Sequence, residues 1–330
     1  MLRQIQLTAW LKQYYPTFLR LEFAASDAEY RRYFRLWLSD ESSLIVMDAD
    51  PNKMSILPYM HVQQLFSMLN VPQIFHTDSK NGFMVLEDMG NTTYLTACLN
   101  CQDQSFHHQL LSAALDELIT LQKASKPNIL AIYDQETLRD EAQWFVTWFC
   151  QHELKKTLRA HQQKIWDNML AMLLPKLTAQ SYVFVHHDYM VRNIMLTNTR
   201  PGVLDFQDAL YGPITYDLVS LLKDAFISWD ETLISDLIVR YWEKARDIGL
   251  QVPHTMDQFL EDFEWMSIQR HLKVIGVFSK LYHCDHKKQY RPEIQRFLDY
   301  LNQTTAHYPI FRPFHALLNE LTNGYAKHFH

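Results

Sequence analysis

The sequence predicts an α+β protein of two lobes. Residues 1–89 form an antiparallel β-rich N-terminal lobe ending in a hinge, and residues 90–330 form a mostly helical C-terminal lobe. Three observations predict it. "FLRLEF" (18–23) and "YFRLWL" (33–38) alternate with period two, the pattern of half-buried strands. After Gly90 the apolar residues recur at helical spacing, as in Leu110, Ala114, Leu118 and Leu121. Short β-branched runs near 183, 194 and 203 interrupt the helices. Segregated strands and helices of this kind make a layered α+β architecture, with an active site expected between the lobes.

In order along the chain, residues 2–14 place Leu2, Ile5, Trp10 and Leu11 on an amphipathic helix that Pro16 ends. The first two strands follow, joined by "ASDAEYRR", and then the denser run "SLIVMD" (43–48). A helix is expected from Tyr59 to Leu69, followed by strands in "PQIFHTD" and "GFMVLED". Beyond Gly90, helices are expected over 104–122, 134–152 and 161–179, and again from Tyr216 onward, with a long one over 256–281. No internal repeat or low-complexity tract is visible.

With 48% hydrophobic and 21% charged residues the composition is globular. A net charge of -6 with scattered basic residues argues against nucleic acid as a partner. No run approaches 18 uncharged apolar residues, and the N-terminus lacks the apolar core of a signal peptide, so neither a membrane nor secretion is expected. Cys98 and Cys101 form a lone C-x-x-C without a second metal-binding pair; together with Cys150 and Cys284 they read as reduced thiols of a cytoplasmic protein. Nothing points to an obligatory protein partner. Seven glycines in the whole chain leave no Gly-rich phosphate loop.

The chemistry concentrates in "VFVHHDYMVRNIML" (183–196) and "GVLDFQDALYGPITYDL" (202–218). Phosphoryl transfer to an alcohol needs a carboxylate to orient the hydroxyl and accept its proton, and Mg2+ needs hard oxygen ligands beside the substrate phosphates. Asp188 supplies the first, and Asn193 and Asp205 supply the second, in the order and spacing required. "LDF" at Asp205 resembles the metal-binding D-F-G of protein kinases with Gln207 in place of glycine, and "HHDYMVRN" resembles their catalytic loop with His187 in place of arginine. Each residue alone would pass as a turn residue; the set does not. Asp217 is either a helix cap or an anchor for the catalytic-loop backbone.

Both stretches resemble the aminoglycoside phosphotransferase and choline kinase superfamily, and the resemblance implies a protein-kinase-like two-lobed fold. "SDAEYRRYFRL" (26–36), "VMDADP" (46–51), "GFMVLEDMG" (82–90) and "IQRHLKVIGVFSKL" (268–281) narrow it to the anomeric N-acetylmuramate/N-acetylglucosamine kinases of cell-wall recycling. That branch implies an ATP-dependent sugar 1-kinase acting with Mg2+ on a small amino sugar. Two departures stand out, His187 for the usual arginine and Met190 for the usual histidine. The strand lysine that pairs ATP phosphates in other kinases is missing, with Met47 or Asp48 near its place. Arg31, Arg32 and Arg35 are the cations that could replace it. The resemblance places adenine against the connector near Glu87 and Met89, with Met84 close by.

For the acceptor, the lactyl carboxylate of N-acetylmuramate calls for a cation. Arg192 lies inside the catalytic loop, and Arg270 and Lys273 share a helical face at i, i+3. Glu141 and Trp144 offer the carboxylate and aromatic platform that sugars often meet, whereas Trp148 is expected in the core. Two other readings stay open: an aminoglycoside- or choline-type kinase with the same chemistry, and a nucleotide-binding pseudokinase, which the intact Asp188, Asn193 and Asp205 set disfavours.

Overall fold

A computed structural model of the chain describes residues 2–26 and 31–325. Residues 27–30, which include most of the expected "ASDAEY" turn, lie outside the described residues. The N-terminal elements are α1 (Leu2–Tyr14), β1 (Arg20–Ser26), β2 (Arg31–Trp37), β3 (Ser43–Ala49), α2 (Leu57–Leu65), β4 (Ile74–Asp78), β5 (Phe83–Glu87) and α3 (Tyr94–Asn100). Next come α4 (Gln104–Lys123), α5 (Gln135–Trp144), a π-helix (Phe145–Glu153), α6 (Ala160–Thr178), β6 (Tyr182–Val185), β7 (Ile194–Met195), β8 (Gly202–Val203) and β9 (Leu210–Pro213). The chain continues through α7 (Tyr216–Leu222), α8 (Glu231–Asp247), α9 (Met256–His283), α10 (Ile294–His307) and α11 (Arg312–Thr322). These pack as two compact units, the first running to Ala97 and taking in Arg192–Asp208, the second made of Cys98–Val191 and Ala209 onward.

The first unit is built on an antiparallel sheet in the order β1-β2-β3-β5-β4. Period-two alternation sorts its side chains between two faces. One face carries Phe34, Leu36, Val46, Phe83 and Val85, and α1 covers it with Leu7, Trp10 and Leu11 at i, i+3, i+4. The sequence expectation for α1 is corrected in one respect: Ile5 is 61% exposed, and Leu7 is the buried residue of that turn. The opposite face presents Arg31, Arg35, Met47 and Met84. α2 ends at Leu65, earlier than the expected Leu69.

The β7–β8 ribbon belongs to this unit because its backbone is tied to it. Val203 N–H donates to Asn70 O, and Leu196 N–H donates to Thr92 O, both at 2.8 Å.

In the second unit, the expected helix over 134–152 is two elements. α5 gives way after Trp144 to a wider π turn, in which Leu154 N–H reaches back five residues to Phe149 O at 2.8 Å. The cause of close packing there is visible in α9. A Cβ on Gly276 would lie 2.4 Å from the Trp144 carbonyl carbon, so only glycine lets α9 approach this junction. One turn away on each helix, Lys273 and Glu141 are thereby brought face to face. β9, which the sequence reading did not foresee, pairs with β6 and carries Tyr211, whose carbonyl accepts from Tyr133 N–H at 2.8 Å.

Candidate active site

Asp188 follows β6, whose Val183, Phe184 and Val185 are buried as expected. Its loop is fixed by buried carboxylates. Asp217, fully buried, accepts from the backbone N–H of His186 at 2.6 Å and of His187 at 3.1 Å. The anchor reading of Asp217 is therefore the observed one; the cap position of α7 is Thr215. Burial pushes the Asp217 carboxyl up to about 7, against the pull of the two N–H groups. Asp224, also fully buried, accepts from Val191 N–H at 3.1 Å and Phe226 N–H at 2.8 Å. No sequence signal singles out Asp224; its hold on the loop comes only from the partners that the fold gives it. Asp188 N–H donates to His186 Nδ1 at 3.3 Å, and His187 takes the left-handed conformation at φ +79°.

His187, Glu141 and Lys273 come together. Lys273 Nζ lies 3.0 Å from Glu141 Oε1 and donates to Tyr216 Oη at 3.0 Å, while His187 Nε2 lies 3.2 Å from the same carboxylate oxygen. Tyr133 Oη donates to Glu141 Oε2, and its ring meets the His187 ring edge-on at 5.3 Å. Burial pushes the Glu141 carboxyl up, but the Lys273 ammonium and His187 outweigh it and hold it at about 2. Lys273 loses some charge stability to burial, and the neighbouring Tyr216, Glu141 and Asp188 more than restore it, so its pKa lies above the ordinary lysine value. Tyr133 and Tyr216 were not singled out by the sequence reading, since buried tyrosines carry no motif.

Arg270 does not share this cluster. It is buried, with Nη1 donating to Lys223 O at 3.3 Å. Trp144 lies under Lys280, whose ammonium sits 5.4 Å from its ring centroid. Trp148 is only half-buried and stacks on His152 at 4.7 Å, so its expected place in the core is corrected.

In the first unit, Asn193 and Asp205 stand at the same end of the β7–β8 ribbon. Ile194 pairs with Val203, and Leu204 N–H extends the ladder by donating to Asn193 O at 2.9 Å, which delivers Asp205 one residue further. Asn193 is buried, Arg192 beside it half-buried, and Asp205 sits at φ +62°. An amide and a carboxylate are hard oxygen donors that fit a small divalent cation. Among the described residues no group of three His, Cys, Asp or Glu side chains could hold a metal. Such a cation at this ribbon would draw its remaining ligands from phosphate or water.

The three candidate arginines separate. Arg31 Nη2 lies 3.1 Å from Asp205 Oδ1. Arg32, on the α1 face, donates to Asp48 Oδ2 at 2.5 Å, and Arg3 of α1 holds the other oxygen at 2.6 Å. Arg35 grips Asp88 with Nε at 2.5 Å and Nη2 at 3.0 Å, and reaches Gly90 O at 3.1 Å, so it braces the connector. Strand alternation could have excluded Arg32 from the sequence alone, since it shares a face with Phe34 and Leu36. At the connector, Glu87 is exposed with its N–H donating to Gln73 O at 2.8 Å, and Met84 is fully buried. Met89 lies against Gly202, where a Cβ would come within 2.9 Å of its sulfur.

The sequence model of the phosphotransferase enzyme family, APH, matches residues 20–250. The chain belongs to that family. This phosphotransferase is 54% identical over 322 residues to an N-acetylmuramate/N-acetylglucosamine kinase of Neisseria meningitidis serogroup B, covering 97% of this chain and 96% of the relative. A protein of the same name from Pseudomonas aeruginosa is 40% identical, covering 91% of this chain and 88% of its own length. Among solved structures, a choline kinase of Streptococcus pneumoniae matches with TM-score 0.64 at 13% identity, over 92% of this chain and 100% of that one. The ADP-bound aminoglycoside phosphotransferase APH(2'')-Ib matches with TM-score 0.61 at 12% identity, over 91% and 98%. The antiparallel sheet and helical unit are thus the kinase-like fold expected. No helix among the described residues is long and apolar enough to cross a membrane.

Proposed function

We propose that this phosphotransferase transfers the γ-phosphoryl group of ATP to the anomeric hydroxyl of N-acetylmuramate, N-acetylglucosamine or both, in cytoplasmic recycling of peptidoglycan. The observation that carries the reading is the 54% identity, over nearly all of both chains, to a protein named for that activity. The geometry supplies the chemistry. Asp188, on a loop whose backbone is pinned by Asp217 and Asp224, orients the sugar hydroxyl and accepts its proton. Asn193 and Asp205 would hold Mg2+, which would supply positive charge against the nucleotide phosphates.

Arg31 replaces the missing strand lysine as the cation that faces the phosphates, because it alone of the three arginines reaches Asp205. Arg35 shapes the connector on which adenine rests, by Glu87 and Met89, with Met84 forming the floor. On the acceptor side, Arg192 is the cation for a lactyl carboxylate. Glu141 and Lys273 neutralise each other, so they flank the sugar as a fixed polar wall beside His187, and Trp144 extends it. Arg270, buried with Nη1 on the Lys223 carbonyl and its charge acting on Asp224, is given a structural role. A cytoplasmic setting is supported by the four cysteines, all free thiols in the structure.

A blocked sugar tests the assignment. The free sugars should be converted with ATP and Mg2+ to an acid-labile 1-phosphate visible by phosphorus NMR, and their methyl glycosides should be inert. Turnover of the methyl glycosides, or a strong preference for kanamycin or choline, overturns the anomeric sugar reading.

A further inference from the structure

The carboxylate of Asp205 is already engaged on one oxygen by two side chains of different character. Gln207 Nε2 donates to Oδ1 at 2.8 Å, and Arg31 Nη2 donates to the same atom at 3.1 Å. Gln207 is neutral, sits two residues along the same loop, and also reaches Asp208 Oδ2 at 3.2 Å. Arg31 comes from the sheet, its side chain only 6% exposed, with Asp205 at 18%. The contact is therefore shielded from water, and its electrostatics are not screened away as at a surface. Around it, Tyr59 and Phe206 pack ring to ring at 4.8 Å, so the carboxylate has an apolar flank.

A guanidinium on a carboxylate and a divalent ion on the same carboxylate compete. Two cations within a few ångströms in a poorly hydrated site repel more strongly than they would in bulk water. A polyphosphate changes the balance, because it offers the guanidinium a new anionic partner whose geometry it matches better than an ammonium would. We propose that Arg31 is an exchangeable counter-ion for Asp205: it holds the carboxylate while the nucleotide site is empty, and moves to the phosphates when metal and nucleotide enter together. Gln207 stays on the carboxylate throughout and keeps it aimed. The consequence is a selectivity. Metal alone is disfavoured, because the ion and the Arg31 guanidinium compete for the same carboxylate, and metal carried by nucleotide is admitted. This role rests on the proposed metal and nucleotide sites, and gives an arginine on β2 a function that a lysine on β3 could not perform in the same way.

The test is direct binding of Mn2+, followed by its electron paramagnetic resonance signal, to enzyme free of nucleotide. Arg31→Met should bind Mn2+ about tenfold or more tightly than wild type, and should bind ADP in the presence of chelator about tenfold or more weakly. These opposite signs distinguish an exchanging counter-ion from a residue that merely supports the fold, which would weaken both. Arg31→Gln keeps a donor without the charge and should behave like Arg31→Met, so it serves if the methionine variant does not fold. Adding Asp205→Asn should abolish the gained Mn2+ affinity. Unchanged or weaker Mn2+ binding in the charge-removing variants overturns the proposal and leaves the phosphotransferase reading standing. Mn2+ binding that survives Asp205→Asn removes the metal site itself, and the exchange with it.

Discussion

Asp188 and Asp205 are both carboxylates delivered by short strands, and each follows or occupies a left-handed residue, His187 at φ +79° and Asp205 at φ +62°. They are held in opposite ways. The Asp188 loop is fixed through its backbone, by Asp217 on two N–H groups and Asp224 on a third. Asp205 is held through its own carboxylate, by Arg31 and Gln207. Buried backbone hydrogen bonds give a geometry that persists whatever binds, since breaking them strands donors away from water. Side-chain counter-ions can be handed over. The difference suits the roles proposed for them, one group that meets a hydroxyl at a fixed angle and another that receives a cation.

The comparison breaks most visibly at Asp188. Asp188→Asn should lower turnover by about two to four orders of magnitude, the usual scale for a positioned general base, in a variant that still folds. The loop backbone is pinned by Asp217 and Asp224, which the substitution leaves in place. Near-normal turnover in the purified variant would falsify the role of Asp188.

Asp217→Ala strikes the other half of the contrast. Two buried N–H groups lose their acceptor, and urea unfolding should report a loss of about 2–4 kcal/mol, accompanied by reduced turnover although Asp188 is intact. A fully stable variant, or a stable one with normal turnover, would mean that the loop holds its shape without the anchor.

The smallest effect sharpens how the loop is flanked. Glu141 is held at about 2 in the folded protein, below its unfolded value near 4.5. A depressed carboxyl stabilises the fold above the unfolded value and loses that contribution as pH falls toward the folded one. Wild type should therefore exceed Glu141→Gln by about 2–3 kcal/mol near pH 7 in urea unfolding, and the gap should narrow steadily below pH about 4.5. A gap that stays constant down to pH 3 would show that Glu141 is not held by Lys273 and His187.

Much of the fold was legible in local pattern. Alternation in β1 and β2 and the denser apolar runs of β3 and β5 mark the sheet, and helical spacing after Gly90 marks the second unit, because a strand or helix half-buried on one side must repeat its apolar residues with its own period. The misses have the same origin. Ile5 and Leu7 both fit a short helical stripe, so local pattern does not choose between them, and the close approach of α9 to the end of α5 rests on Gly276, which lies far along the chain.

The site divides along the same line. The sequence by itself marked Asp188, Asn193 and Asp205 as candidates, since their spacing is set within two short strand-and-turn segments, and it offered three neighbouring arginines as cations for the phosphates. Only the tertiary structure separated the three. It set Arg31 on Asp205, Arg32 on Asp48 and Arg35 on Asp88, it closed Glu141 on Lys273, and it buried Arg270. Charge type and spacing are local properties of a chain, but the partner of a charge is chosen by packing between segments distant in sequence, and a buried ion must take whatever counter-charge that packing supplies.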